Sequence, residues 1–478
     1  MRFQNVIKIA IFLVINVLML NLLSEIFIDK NLTSSVRYEV KHLGFNHFYE
    51  EREDSLDVVF LGSSHVYSGI SPMEMWNLHG ISGYDCTSSS QDAIKSYYFL
   101  EEIFKYQSPK VVVFDLMSLF IGKTNDEISN RSAFNCLRFS PVFVKMAWES
   151  MNKDNNESLL FLTFPVFRYH SRWEELKKID FESRATRDLA KGYDMSYGTV
   201  QAVKLTQENF PLLTGDKQTS EVQPIEEESA TYIRKMVDLC SKEGVKMLFI
   251  KTPVTGYTHK MGNAMQNFAD ECDVPLIDYN LKWQELGIDY TTDFLDTVHL
   301  NLNGAQKLSV ALGQTLKNTY NIGGHKEDPM YADWNSDYLK YEASIAALEL
   351  SGCSNVTAWI EKTKNNRYVI MYSGDSAKIS NDMLSWLQIE NLDQTGICYG
   401  ILDNTNGSKV FYPGKGKTLY RIEDFWCEVS SLGSYKIRLK SENMINKEEG
   451  FCMVVYDKEL QAVVDVVTIL NGQINRNI

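Results

Sequence analysis

A serine at position 64, in FLGSSHVYSG, and an Asp/His pair at positions 296 and 299, in DFLDTVHLNLNGAQKL, are the residues whose types and spacing suit nucleophilic acyl transfer. A serine hydroxyl is a weak nucleophile until a base removes its proton. Gly62-Ser63-Ser64 follows the apolar run DVVFLG. That order puts the Ser64 hydroxyl where a strand ends and a turn begins, at the carboxyl edge of a sheet, where α/β folds build their sites. Asp296 and His299 stand three apart, just before a helix expected to begin around Asn303, a spacing that suits a loop turning back on itself. In such a loop the carboxylate holds the imidazole Nδ1–H and leaves Nε2 to accept the serine proton. The bland alternatives are a structural Gly-Ser-Ser turn, and a helix N-terminal Asp beside a surface His. His65, one residue along the turn, is expected to point away from Ser64.

The elements that would position these groups follow from hydrophobic patterning. Near Asp57 the run DVVFLG begins the folded part, and similar runs recur at KVVVFDL (Lys110 to Leu116), VKMLFI (Val245 to Ile250) and VPLID (Val274 to Asp278). Continuous apolar runs of this length mark strands buried on both faces of a parallel sheet. Helical periodicity precedes them at Ser96 to Tyr106 and at Glu226 to Glu243. This is β-α alternation, and it predicts a three-layer α/β/α sheet over 56–322. The stretch from about 120 to 209 breaks the rhythm and is expected to be a helical insertion that shapes the substrate site. Residues 323–338 lose periodicity and read as a linker. A β-rich (α+β) accessory domain is expected over 339–478, with short β runs at Tyr368 to Tyr372, Cys398 to Leu402, Val410 to Tyr412, Tyr435 to Leu439 and Phe451 to Tyr456. FCMVVYD and AVVDVVTIL look like a hairpin across Lys458-Glu459, and no catalytic set is visible in this domain.

The N-terminus differs in kind. IAIFLVINVLMLNLLS, Ile9 to Ser24, carries no charge, and the apolar stretch extends through Ile26 to Ile28. It reads as an uncleaved membrane anchor over residues 1–30, followed by a polar stalk over 31–55. A formal net charge of −14 argues against general affinity for nucleic-acid phosphates, so nucleic acid is not expected as a partner. Eight cysteines are scattered with no C-x-x-C and no Cys/His cluster, so neither a metal site nor a cofactor is expected, while structural disulfides stay open.

The early Gly-Ser-Ser and the late Asp-x-x-His together resemble the SGNH (GDSL-like) hydrolase superfamily over roughly residues 56 to 320. The resemblance implies a three-layer fold in which Ser64 is the nucleophile, Asp296 the orienting carboxylate and His299 the general base. Ser63 stands where the family usually has Asp. The family draws further oxyanion donors from a Gly in a second block and an Asn in a third. Here the second block falls in YDCTSSSQDAI, which makes Ser90 and Gln91 the candidates beside the Ser64 N–H, with Ser88 and Ser89 nearby. After KVVVFDL stand Asp115-Leu116-Met117, with no Gly-x-Asn-Asp. A missing oxyanion donor costs about 10²–10³ in rate.

In the insertion, FPVFRYHSRWEEL concentrates Tyr169, His170, Arg172 and Trp173, groups that either grip a sugar or pack the insertion onto its domain. An anchor followed by a divergent domain of this kind is similar to the exported teichoic-acid D-alanylation and alginate O-acetylation proteins. That likeness implies a single-pass membrane protein with its bulk outside the cytoplasm. It would move an acyl group to or from envelope polysaccharide, with a membrane-bound O-acyltransferase as the supplier. A carbohydrate acetylesterase and an inactive glycan-binding scaffold are the alternatives.

Overall fold

The protein is described by a computed structural model, which covers residues 2–28, 44–124, 127–151, 158–182, 188–195 and 218–476. Much of the expected stalk, and of the insertion beyond residue 195, lies outside the described residues. The chain divides into two compact units, 1–338 and 339–478.

In the first unit, α1 (Arg2–Phe27) is one continuous helix. Its 25-residue stretch Phe3–Phe27 is long and apolar enough to cross a membrane, spanning about 37 Å at 1.5 Å per residue. After α2 (Gly44–Phe48) come β1 (Val58–Leu61), α3 (Ser64–Gly69), α4 (Pro72–His79), β2 (Gly83–Asp85), α5 (Ala93–Ile103) and β3 (Val111–Asp115). The insertion supplies α6 (Glu127–Phe134), α7 (Pro141–Ser150), α8 (Leu159–Thr163) and α9 (Val166–Tyr169). The main rhythm resumes with α10 (Glu227–Glu243), β4 (Lys246–Lys251), α11 (His259–Glu271), β5 (Leu276–Asp278) and α12 (Leu302–Tyr320).

All five strands are parallel, in the order β2-β1-β3-β4-β5. Alternate side chains serve opposite faces. Val58, Phe60, Val111, Val113, Leu248 and Ile250 share one core with Met75 of α4 and with Leu308, Leu312 and Leu316 of α12. The intervening residues serve the other face, where Phe249 packs between Phe114 and Phe268 of α11, with ring centroids 6.4 and 6.2 Å away. Leu308, Leu312 and Leu316 recur at i, i+4 and i+8 and are fully buried, so truncating one to Ala costs about 2–5 kcal/mol. The architecture is therefore the expected α/β sheet with helices on both faces.

In the second unit β6 (Tyr368–Asp375) to β15 (Gln473–Asn475) form two antiparallel sheets. The six-stranded sheet runs β15-β14-β13-β6-β7-β8, where β7 is Ile397–Asp403, β8 Ser408–Pro413, β13 Phe451–Asp457 and β14 Ala462–Leu470. The four-stranded sheet runs β12-β11-β10-β9, from Lys417–Ile422 (β9) through Phe425–Ser430 (β10) and Tyr435–Leu439 (β11) to Glu442–Lys447 (β12). Tyr368, Ile370 and Tyr372 join a core with helices, while Val369 and Met371 join a core with the four-stranded sheet. The β13-β14 hairpin is present. The segment read as a linker is partly helical: α13 (Ala332–Gly352) begins inside it. Aromatic stacking stands in for an apolar stripe at its start, Trp76 lying 5.2 Å from Trp334 and 5.8 Å from Tyr331. All eight cysteines are free thiols.

Candidate active site

In a sheet of this strand order the crevice opens between β1 and β3, because the chain leaves β1 in one direction and returns past it to reach β3. The residues at that point are those that end the two strands. Gly62 leaves β1 with φ +153°, and a Cβ there would lie 2.5 Å from Val66 Cγ2 and 3.3 Å from Asp115 Cβ. Only glycine lets the turn pass so close to α3 and β3. Ser63 then takes the N-cap position in extended conformation, with no side-chain capping bond, and Ser64 is the first residue of α3, half-buried.

The Asp296–His299 segment is shaped by a one-pair antiparallel bridge, Phe294 with Leu300. The Leu295 N–H donates to His299 O at 2.9 Å. Asn301 closes the loop: its Nδ2 donates to Thr292 O at 2.7 Å, and its Oδ1 accepts the Asn303 and Gly304 N–H groups that start α12. Gly304 is required because a Cβ there would lie 2.4 Å from Asp293 O. The motif DTVHLNLNG is thus a loop, a cap and a close approach written consecutively.

Within this loop Asp296 Oδ1 accepts the Val298 and His299 N–H groups, each at 2.8 Å, and Oδ2 lies 2.8 Å from His299 Nδ1. Partial burial works against the carboxylate charge, but the His299 bond and the two backbone donors outweigh it and hold the group down at about 2. A carboxylate of that strength fixes the imidazole with Nδ1–H inward and Nε2 outward. The loop stands against α3: Val66, Ile70 and Leu300 share a core, and the ring centroids of His65 and His299 are 5.8 Å apart. The chain therefore brings the start of α3 and the Asp296/His299 pair to one corner of the sheet's carboxyl edge.

The His65 ring lies beside that of His299. Its Nδ1 is buried with no hydrogen-bond partner. Burial above all, then the Lys251 cation, push it down to about 3, so the ring is neutral over the ordinary pH range. Behind it lies a cluster that the sequence did not single out. Lys251, ending β4, is fully buried with its Nζ 3.3 Å from Asp115 Oδ2 at the end of β3. The same Oδ2 accepts the Thr252 N–H and Oγ1–H, each at 2.9 Å, while Oδ1 accepts the Met117 N–H at 2.8 Å. Burial opposes the Asp115 charge, yet Lys251 and these donors together keep its carboxyl lowered. Asp115 thus pins β3 to β4 at the place where a Gly-x-Asn-Asp block would stand. A lysine ending an apolar strand was the available signal.

Ser90 and Gln91 part company. The Gln91 carboxamide faces inward and is committed: Oε1 accepts Ser88 Oγ–H at 2.9 Å, and Nε2 donates to Ser96 Oγ at 3.1 Å and to Cys86 O at 3.4 Å. Both hydrogens of its carboxamide thus serve the turn. Ser90 is exposed and sits at φ +46°, a conformation L-residues seldom adopt, held there as Thr124 Oγ1 donates to its carbonyl at 2.8 Å. Two residues on, Asp92 caps α5 and pairs with Lys95 at 2.6 Å, both buried. Ser89 N–H donates to Ser132 Oγ of α6 at 3.2 Å.

The insertion residues are divided as well. Tyr169 OH accepts from Asn135 Nδ2 at 3.1 Å, and its ring lies under the Arg131 guanidinium at 5.3 Å. Arg172 donates from Nη1 to Phe27 O and from Nη2 to the buried Asp180 at 3.2 Å. Both residues hold the insertion together. His170, with Nδ1 2.9 Å from Phe167 O, and Trp173 are exposed. No group of three or more His, Cys, Asp or Glu among the described residues could hold a metal ion.

Neither a family model nor a curated relative matches the chain. Among solved structures, one titled a "putative acylhydrolase", from Bacteroides fragilis NCTC 9343, is similar to it. The match covers 60% of this chain and 99% of that one, at 12% identity and a TM-score of 0.27, a likeness too slight to carry any argument about chemistry.

Proposed function

We propose that the chain is a serine acyl-transfer enzyme, with Ser64 as nucleophile, His299 as general base and Asp296 as its orienting group. The observation that supports this best is the Asp296–His299 hydrogen bond on a loop packed against the helix that begins with Ser64. In this reading Ser64 Oγ attacks the ester carbonyl while its proton passes to His299 Nε2. The tetrahedral oxyanion is met by the Ser64 N–H and by Ser90. Collapse expels the donor alcohol, which leaves with the proton from His299. A second hydroxyl then attacks acyl-Ser64, giving its proton to His299; collapse breaks the bond from the acyl carbon to Ser64 Oγ, which takes the proton back from His299 as the acyl group leaves on the acceptor oxygen.

The acyl group in this proposal is acetyl or similar, and the acceptor is an envelope polysaccharide outside the membrane. An extracytoplasmic disposition fits the apolar α1, and the SGNH resemblance suggests a membrane-bound O-acyltransferase as the upstream supplier. Transfer to water, an esterase, differs only in the second attacking group. The test is full-length protein in detergent given an activated acetyl ester, with and without an acetylatable oligosaccharide, beside Ser64→Ala. Ser64-dependent acetylation of the sugar supports a transferase, and Ser64-dependent acetate release alone an esterase. Equal rates for folded wild type and Ser64→Ala would overturn the enzyme reading in favour of a binding scaffold.

A further inference from the structure

The exit of α1 is gripped by the insertion. From Phe3 to Leu22 most of the large apolar side chains of α1 point into solvent, and Val6, Phe12, Leu18 and Leu22 are each more than half exposed. At Ser24, 3% exposed, the helix meets the insertion, and Glu25 to Phe27 are half-buried. Ser24 Oγ accepts the Val166 N–H of α9 at 3.2 Å, and Arg172 binds the Phe27 carbonyl while pairing with the buried Asp180. The exposed part, twenty residues from Phe3 to Leu22, measures about 30 Å, the thickness of a bilayer's hydrocarbon core.

The segments that grip the exit, and α8 packed against α9, carry large apolar side chains facing outward. Leu160 and Phe161 on α8 are 55% and 47% exposed, and Trp173 and Phe181, in the short turns after α9, are 65% and 64% exposed. Apolar groups standing in solvent around the end of an apolar helix need a covering surface. Tryptophan and phenylalanine on short amphipathic segments are the groups that settle at a lipid interface.

We propose that Leu160, Phe161, Trp173 and Phe181 form a collar that rests in the interface of the leaflet from which α1 emerges, so that the first unit is seated on the membrane. The bilayer is the occupant favoured by continuity, because α1 passes from its lipid-length exposed stretch directly into this collar. The inference rests on α1 crossing the membrane and is independent of the acyl chemistry. The insertion that carries the collar also touches the turn holding Ser90. Asn135 and Arg131 hold Tyr169 of α9, and the neighbouring Ser132 holds the Ser89 N–H beside Ser90.

The test uses the full chain in phosphatidylcholine nanodiscs, with and without lipids brominated near the headgroup end of their acyl chains. Wild type is compared with Trp173→Phe, a change at an exposed position that the fold tolerates. Bromolipid is expected to quench wild-type fluorescence, and Trp173→Phe to lose about one tryptophan's share of that quenching. If protease protection shows α1 inserted and the two proteins quench equally, the collar is overturned and the span stands. An α1 open to protease in the nanodisc overturns the span and the collar together, whatever Ser64 does in the ester assay. Trp173 shielded from aqueous acrylamide yet untouched by bromolipid means that a second copy covers this face, which also overturns the proposal.

Discussion

Replacing Asp296 by Asn separates a catalytic dyad from a loop ornament. The amide oxygen that Asp296→Asn introduces can still accept the Val298 and His299 N–H groups that Oδ1 accepts now. What changes is the contact with His299 Nδ1, at 2.8 Å in the wild type, which becomes donor against donor unless the imidazole adopts the other tautomer and turns Nε2–H outward. The stability cost has a ceiling. Lowering the carboxyl from 3.8 to about 2 corresponds to about 2.4 kcal/mol at roughly 1.36 kcal/mol per pH unit. With the side chain 43% exposed, solvent screening reduces that to about 1 kcal/mol, or about 2–4 °C in Tm for a unit of this size. A depressed carboxyl contributes its stability above its unfolded pKa and loses it as pH falls. The Tm difference between wild type and Asp296→Asn should therefore be present at pH 7 and close between about pH 4 and 2.

The catalytic cost should be of another order. Loss of the orienting carboxylate of a Ser-His-Asp set lowers turnover by about 10⁴. The assay is hydrolysis of an activated acetyl ester by full-length protein in detergent near neutral pH, with Tm measured on the same samples. A fall in kcat/KM of about 10³ or more with a Tm loss under about 4 °C supports the mechanism. Activity within about tenfold of wild type in a folded Asp296→Asn would refute it, because His299 would then be shown to act without the carboxylate.

Other perturbations test the frame around that pair. Gly62→Ala, which drives a Cβ into Val66 at a positive φ, should destabilise the first unit by about 1–3 kcal/mol in urea unfolding. Lys251→Met strands the buried Asp115 carboxylate and should cost about 3–5 kcal/mol; a change under about 1 kcal/mol would show that the two groups are not an ion pair. Asp85 ends β2 with both oxygens buried and unpartnered, and burial foremost raises its carboxyl well above the usual range. The folded chain therefore loses stability as pH rises above about 4, so Asp85→Asn should have the higher Tm at about pH 8, with the gap narrowing toward about pH 4.

The parallel strands were legible because strands covered on both faces must be apolar throughout, as in VVFL and VVVFD. β2 was not, for Gly83-Tyr84-Asp85 holds a single large apolar side chain, whereas the equally short edge strand β5 stands in the apolar run VPLID. In the accessory unit, β9, β10 and β12 carry no such signal because Lys417, Arg421, Glu428 and Lys447 interrupt their apolar content. The Asp296–His299 contact could be read because the partners lie three residues apart. The inward commitment of Gln91 could not, since it depends on where a turn places the Cys86 carbonyl and the Ser96 hydroxyl. Lys251 acquires meaning only once the sheet order sets β4 beside β3 and its Asp115.

The proposed nucleophile and its base stand at opposite ends of the first unit's sequence. Ser64 leads the first helix after β1, and His299 follows the last strand, β5. Translation at about 5–20 residues per second separates the two by roughly ten to fifty seconds. Throughout that interval the emerging chain displays a serine with no partner to activate it. Under the proposed mechanism, acyl chemistry would be withheld until the loop after β5 has closed against α3, so a truncated or stalled chain would be silent instead of partly active.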